Sequence, residues 1–324
     1  MNEEKHIEKS SVVVGKDVSG SIILSGNHHT IHLNKMNGIE SPPKEIQSNP
    51  LPKPVSKMCD RNKQADDFID HFQENHEKYP GRPQLYLLHG DTEERHDSFI
   101  ERIRHKELRK LWEDDIYYPN EMPDWTESGE LERRKQRLIR NLTNTFGDKI
   151  KADISATDFS RLPCFDKRSL VIMRHNIDAF KWDKRHETDM ILWYRNYWSK
   201  LKCNEKTPLF LIFLNIEYPK DSKVSLKQRM CIWKYCSPKN IETRLAEIAN
   251  IKNEKCPCSL LSKLEPVDEF HVREWLKVHA RRFESEWEKI ISEIFSAGNS
   301  KVSMNVIETI LLKLLNEQDK SVWK

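Results

Sequence analysis

QLYLLHGDTEERHDSF, residues 84–99, is an apolar run, a glycine, a polar loop and the start of a helix. Gln84 to His89 shows no alternation of apolar and polar residues, as expected of a strand buried on both faces of a parallel sheet. Beyond Gly90 the chain turns polar, and Phe99, Ile103 and Leu108 then recur at helical spacing. The pattern repeats along the chain. Phe68, Ile69 and Phe72 place a helix over Asp66 to His76, before this strand, and Leu131, Leu138, Leu142 and Phe146 place another over 131–146. Ser169 to Met173 (SLVIM) reads as a second buried strand, followed by a Trp/Tyr-rich helix over Met190 to Leu201. Pro208 to Ile216 (PLFLIFLNI) reads as a third strand. Strands alternating with helices predict an α/β fold, a parallel sheet flanked by crossover helices.

Strand, glycine, polar loop and helix is also the layout of a phosphate-binding loop, G-x4-G-K-[ST]. There the second glycine lets backbone N–H groups curl around phosphate, the lysine neutralises it and the hydroxyl holds magnesium. From Gly90 to Asp97 the spacing is kept and the chemistry is not. Arg95 stands at the second glycine, where a positive φ would be costly. His96 stands at the lysine and is mostly neutral at pH 7. Asp97 stands at the hydroxyl, and Glu93 and Glu94 add negative charge against any phosphate. A working domain also ends a later strand in an acidic residue that organises magnesium. Here SLVIM runs into Arg174 and His175, with no carboxylate until Asp178. The expectation is a vestigial phosphate loop (Gly90, Arg95, His96, Asp97), a vestigial metal strand end (Arg174, His175) and no cofactor. A second account stays open at this point. Strand–glycine–loop–helix also occurs in α/β folds that never bound nucleotide, and Ser98-x-x-Glu101 fits a capping box.

Around this centre lie other segments. Val12 to Val14, Ile22 to Leu24 and Ile31 to Leu33 are β-branched runs punctuated by Gly15, Gly20 and Gly26, a glycine-punctuated β segment over 1–40. Such a piece has edges able to pair with further copies, so self-association through 11–33 is one expectation and a partly ordered tail the other. Residues 41–57 hold five prolines and read as a linker. The α/β domain is expected over 58–282. C-terminal helices are expected over 283–324, with stripes at Trp287 to Phe295 and Met304 to Leu315 broken at Gly298 and Asn299.

Composition bounds the rest. Of 324 residues, 37% are hydrophobic and 32% charged, and 54 basic against 51 acidic side chains leave a net charge of +3. That balance makes nucleic acid the least favoured partner, although Arg102 to Lys110 and Arg133 to Arg140 are local basic runs. No apolar run is long enough to span a bilayer and the first residues lack a signal-peptide core, so a cytoplasmic protein is expected. Seven cysteines in such a compartment read as free thiols. Cys231, Cys236, Cys256 and Cys258 form a weak candidate zinc cluster, because Cys-Pro-Cys is too tight for an ordinary knuckle. Neither H-E-x-x-H nor G-x-S-x-G occurs, and no catalytic constellation is found.

Several ordered blocks resemble the inactive STAND family, relatives of signalling ATPases that have lost the nucleotide motifs. They are Cys59-Asp60-Arg61 with Gln64 and Phe68; Leu85 to Gly90; His96 to Phe99 with Glu101-Arg102; Leu170 to His175 with Trp182; Tyr194 and Trp198; Leu211 to Tyr218; and Leu264 to Val267 with Trp275. The resemblance spans roughly residues 58–280. It implies a P-loop NTPase-like sheet without hydrolysis, acting as an adaptor or scaffold among other proteins of a prokaryotic conflict or stress-signalling system. A nucleotide-binding switch using Arg95, Arg174 or His96 as substitute cations is the alternative, and a nucleic-acid-binding protein a further one.

Overall fold

The computed structural model describes residues 5–7, 12–14, 22–26, 29–33, 59, 61–119, 122–125, 129–146, 154–156, 169–182, 186–204, 207–218 and 237–322. Residues 41–57, Gly15, Gly20, Cys231 and Cys236 lie outside them. The chain divides into two units, Met1–Gln47 and Ser48–Lys324.

In the first unit, β1 (Lys5–Ile7), β2 (Val12–Val14), β3 (Ile22–Gly26) and β4 (His29–Leu33) form an antiparallel sheet in the order β1-β2-β3-β4. The register pairs Val13 with Ile23 and Ile23 with His32.

The second unit is built on a five-stranded parallel sheet, ordered β6-β7-β8-β5-β9. Its strands are β5 (Gln84–Asp91), β6 (Ile116–Tyr117), β7 (Leu170–Asp178), β8 (Leu209–Tyr218) and β9 (Cys258–Leu260). The apolar runs form strands because both faces are covered. Leu85 and Leu87 face one core with Val171, Met173, Phe210, Ile212 and Leu214. Tyr86 and Leu88 face the other with Leu170, Ile172, Leu211 and Phe213. On the first face lie α4 (Leu131–Phe146), α5 (His186–Ser199) and α6 (Pro238–Asn250). α6 starts where Ser237 Oγ accepts the Asn240 N–H at 3.3 Å with Pro238 in the first turn, a strong start signal. On the second face lie α1 (Asn62–Lys78), α2 (His96–Arg102) and α3 (Leu108–Leu111), the last two joined by a π-helical turn over Ile103–Glu107. Truncating a fully buried anchor such as Phe213, stacked on Tyr86 with ring centroids 5.2 Å apart, would cost about 3–5 kcal/mol.

A third cluster gathers Cys59 and Val267 with α7 (Glu269–His279), α8 (Trp287–Ile294) and the first turns of α9 (Met304–Val322). The short antiparallel pair β10 (Val267–Asp268) and β11 (Lys301–Val302) ties it together. The chain leaves β5 for the far edge of the sheet, returns through β7 and β8, and crosses β5 to β9. The strand order therefore reverses at β5, where ligands of open α/β sheets bind outside the carboxyl ends of the strands.

Candidate functional site

The loop that follows β5 lies at this reversal. Its first glycine meets the chain itself. Gly90 bridges in parallel to Leu264, whose N–H donates to the His89 carbonyl at 2.8 Å. A Cβ on Gly90 would lie 2.8 Å from Leu264 Cβ and 2.9 Å from its carbonyl oxygen. The close approach that glycine permits is used here by the protein's own backbone.

Beyond Asp91, Thr92–Glu94 make a short 3-10 turn, and Thr92 Oγ1 donates to the Tyr218 carbonyl at 2.8 Å. Glu94 turns inward, 1% exposed, onto Arg61. The Arg61 guanidinium donates to Glu94 Oε2 at 2.7 Å, to the Glu94 carbonyl at 3.0 Å and to the Glu265 carbonyl. Burial pushes the Glu94 carboxyl above its usual range, and the Arg61 charge opposes that shift. The Met304 N–H also points at Glu94 Oε2, at 3.5 Å. Asp91, Glu93 and Glu94 line a cleft of about 350 Å³ with Lys301, Ser303 and Val306.

Arg95 adopts φ 52°, ψ 65°. The sequence made a positive φ costly at this position, yet the left-handed turn is kept with arginine in it. The side chain is held by Glu308 of α9: Arg95 Nε donates to Glu308 Oε2 at 3.1 Å. Ser98 Oγ donates to the same oxygen at 2.7 Å. This corrects the capping-box reading. α2 has no side-chain cap, the N–H of Ser98 bonds to the Arg95 carbonyl at 2.9 Å, and Glu101 pairs with His105 at 3.1 Å.

His96, at the lysine position, is buried inside the fold. Burial, then the Arg61 and His89 charges, push its pKa down to about 3, so it is neutral at pH 7. The backbone of Ile216 opposes this shift, and neither ring nitrogen makes a full hydrogen bond. Asp97, at the hydroxyl position, forms an ion pair with Arg174.

β7 runs further than the apolar stretch suggested, to Asp178, so the strand does end in a carboxylate. Arg174 to Asp178 continue the pleat with alternating burial, and Asp178 pairs in register with Glu217 of β8. Burial first, then the charges of Asp97 and Asp178, push Glu217 up to about 7. His175 is a structural residue. Its Nδ1 lies 2.7 Å from the Pro123 carbonyl, which can only accept, so the proton sits there; Nε2, 2.7 Å from Tyr194 Oη, accepts from the phenol. Burial brings its pKa down to about 4. Among the described residues, no three His, Cys, Asp or Glu side chains are grouped as a metal ion requires. Cys256 and Cys258 are free, and burial raises both thiols, Cys258 to about 12.

The structure thus brings Gly90, Arg95, His96, Asp97 and Arg174 together at the strand ends, and turns His175 away into the core. The family blocks contained Arg61 and Glu265 without giving them a role, and sequence reasoning did not find Glu308; Arg61 lies 33 residues from Glu94, and Glu308 lies 213 and 210 residues from Arg95 and Ser98. Of the basic runs, Arg102 is buried against Glu107 at 3.2 Å and Asn62 at 2.7 Å, and Lys110 reaches Glu107 at 2.8 Å. In the second run Arg134 is buried on Glu187, while Arg133, Arg137 and Arg140 are exposed.

By fold and site this is an α/β domain of the nucleotide-loop type whose loop is engaged by its own chain. Residues 56–216 match the family described as inactive STAND, and the α/β domain they fall in belongs to that family. Solved structures similar to it include the ORC2 protein of Aeropyrum pernix (8% identity, TM-score 0.43, over 81% of this chain and 63% of that one). Drosophila ORC bound to GC-rich DNA and Cdc6 aligns at 12% identity and TM-score 0.33, over 90% of this chain and 46% of that one. The Walker-type ATPase of Pyrococcus abyssi aligns at 14% identity and TM-score 0.34, over 82% of this chain and 75% of that one. The chain spans less than two thirds of the first two. No curated protein matches it.

Proposed function

We propose that the chain is a non-catalytic adaptor or scaffold module that works through other proteins, in a prokaryotic conflict or stress-signalling system. One observation carries the reading: the loop groups that would meet a nucleotide are engaged by the chain. Leu264 covers Gly90 and Glu308 holds Arg95 and Ser98, while the residue at the lysine position is neutral. Asp91, Asp97, Asp178 and Glu217 also gather at the strand ends, where a triphosphate would add like charge.

A nucleotide-binding switch would need a substitute cation. Arg95 is paired with Glu308, Arg174 with Asp97, and His96 carries no charge, so each of the three candidate cations is engaged or neutral. Melting of the full chain with and without Mg-ATP, Mg-GTP and ADP tests the adaptor reading. A nucleotide that bound at 100 times its Kd would stabilise by about 2.7 kcal/mol, a shift readily seen. No shift and no hydrolysis are expected. Hydrolysis lost on mutating the loop would overturn the reading.

A further inference from the structure

The contact between Glu308 and the loop is chemically odd for a packing contact. The carboxylate is 3% exposed, on a helix whose neighbouring Ile307 and Leu311 are fully buried. One oxygen, Oε2, takes both donors, Arg95 Nε at 3.1 Å and Ser98 Oγ at 2.7 Å. The other, Oε1, is buried and has no hydrogen-bond partner. An apolar side chain there would avoid the desolvation of a charge that is only half satisfied. The donors come from the turn that a phosphate loop uses to gather N–H and side-chain groups around an anion, and Arg95 keeps the left-handed backbone of that turn.

We propose that Glu308 is a built-in anion: Arg95 and Ser98 are an oxyanion-binding pair, and the chain's own C-terminal helix supplies the oxyanion. This rests on reading 90–97 as a phosphate loop. The ligand class the pair accepts is a small oxyanion, a carboxylate or phosphate group, and α9 is clamped on the loop by the same charge-assisted bonds that would otherwise hold such a ligand. Withdrawal of Glu308 opens the pair to an external oxyanion.

The test is chemical rescue in the full chain. Glu308→Ala removes the carboxylate and leaves space beside Arg95 and Ser98. Sodium formate, at several times its Kd, is expected to raise the melting temperature of Glu308→Ala by about 2–4 °C beyond equal sodium chloride. The unmodified chain and the double variant Arg95→Ala/Glu308→Ala should show no such excess. Equal shifts in all three, or none in Glu308→Ala, overturn the proposal. Should Glu308→Ala not fold, a cycle of Arg95→Ala against the isosteric Glu308→Gln decides it, since strict additivity of the two would mean that no pair exists. The outcomes separate from those above. A Mg-ATP shift in the unmodified chain sinks the adaptor reading and leaves this one standing, and failed formate rescue does the reverse.

Discussion

Acidification tests the burial of His96 and His175. Both have folded-state pKa values below the ordinary 6.5, His96 about 3 and His175 about 4. The unfolded chain therefore binds more protons between those values and 6.5. The stability they contribute is complete above pH 6.5 and is lost as pH falls towards the folded values. At pH 5 the interval is about 1.5 pH units, and at 1.36 kcal/mol per unit each histidine withdraws about 2 kcal/mol. Other groups titrate in the same window. Glu217, raised to about 7, works the other way, because the folded chain holds its proton more tightly and gains stability as pH falls. The whole pH curve is thus a sum of opposing parts, and the informative quantity is a difference. His96→Leu deletes the buried imidazole and leaves Glu217 and His175 in place. Urea unfolding of both proteins at pH 7 and pH 5 gives that difference. The variant should lose about 2 kcal/mol less than the unmodified chain on going to pH 5. An equal loss in both would mean that His96 is solvated, and the argument that the lysine position cannot carry charge would fail with it.

Arg61→Ala should cost about 3–5 kcal/mol in urea unfolding, because it strands the buried Glu94 carboxylate; a loss under about 1 kcal/mol would refute the pairing. Gly90→Ala should cost about 1–3 kcal/mol by forcing Leu264 away, and hydrogen exchange at the Leu264 amide should quicken selectively. Arg134→Ala should destabilise by about 3–5 kcal/mol, since Glu187 is buried on it, while Arg133→Ala one position along stays within about 0.5 kcal/mol. Similar losses for the two would mean that α4 presents a different face to the sheet.

The sheet was legible wherever burial on both faces left an unbroken apolar run, as in β5 and β8. β6 and β9, two and three residues long, are too short to leave a period, and they are strands only because a longer neighbour supplies the hydrogen bonds. The polar end of β7 was lost for a related reason, since at the rim of a sheet polar residues can alternate with buried ones. In the loop from Gly90 to Asp97, two inferences failed. Arginine was expected to avoid the left-handed region, and the bonds from its side chain and backbone hold it there. Ser98 was assigned to its own helix, whereas a carboxylate 210 residues away accepts its hydrogen bond. Local rules price local alternatives only, and no spacing rule registers a partner from α9.

The guanidinium of Arg61 completes its bonds only with the carbonyl of Glu265, 204 residues downstream. β5 likewise gains its second neighbour only when β9 has been made. At about 5–20 residues per second the ribosome needs about 10–40 s to cover the distance from Arg61 to Glu265. In the last part of that interval, between Tyr218 and Cys258, the nascent sheet presents the unpaired edge of β5, an open template for pairing with other chains. The time that edge stays open is therefore set by the length of sequence between two of the protein's own strands, and slower translation between Tyr218 and Cys258 would lengthen it.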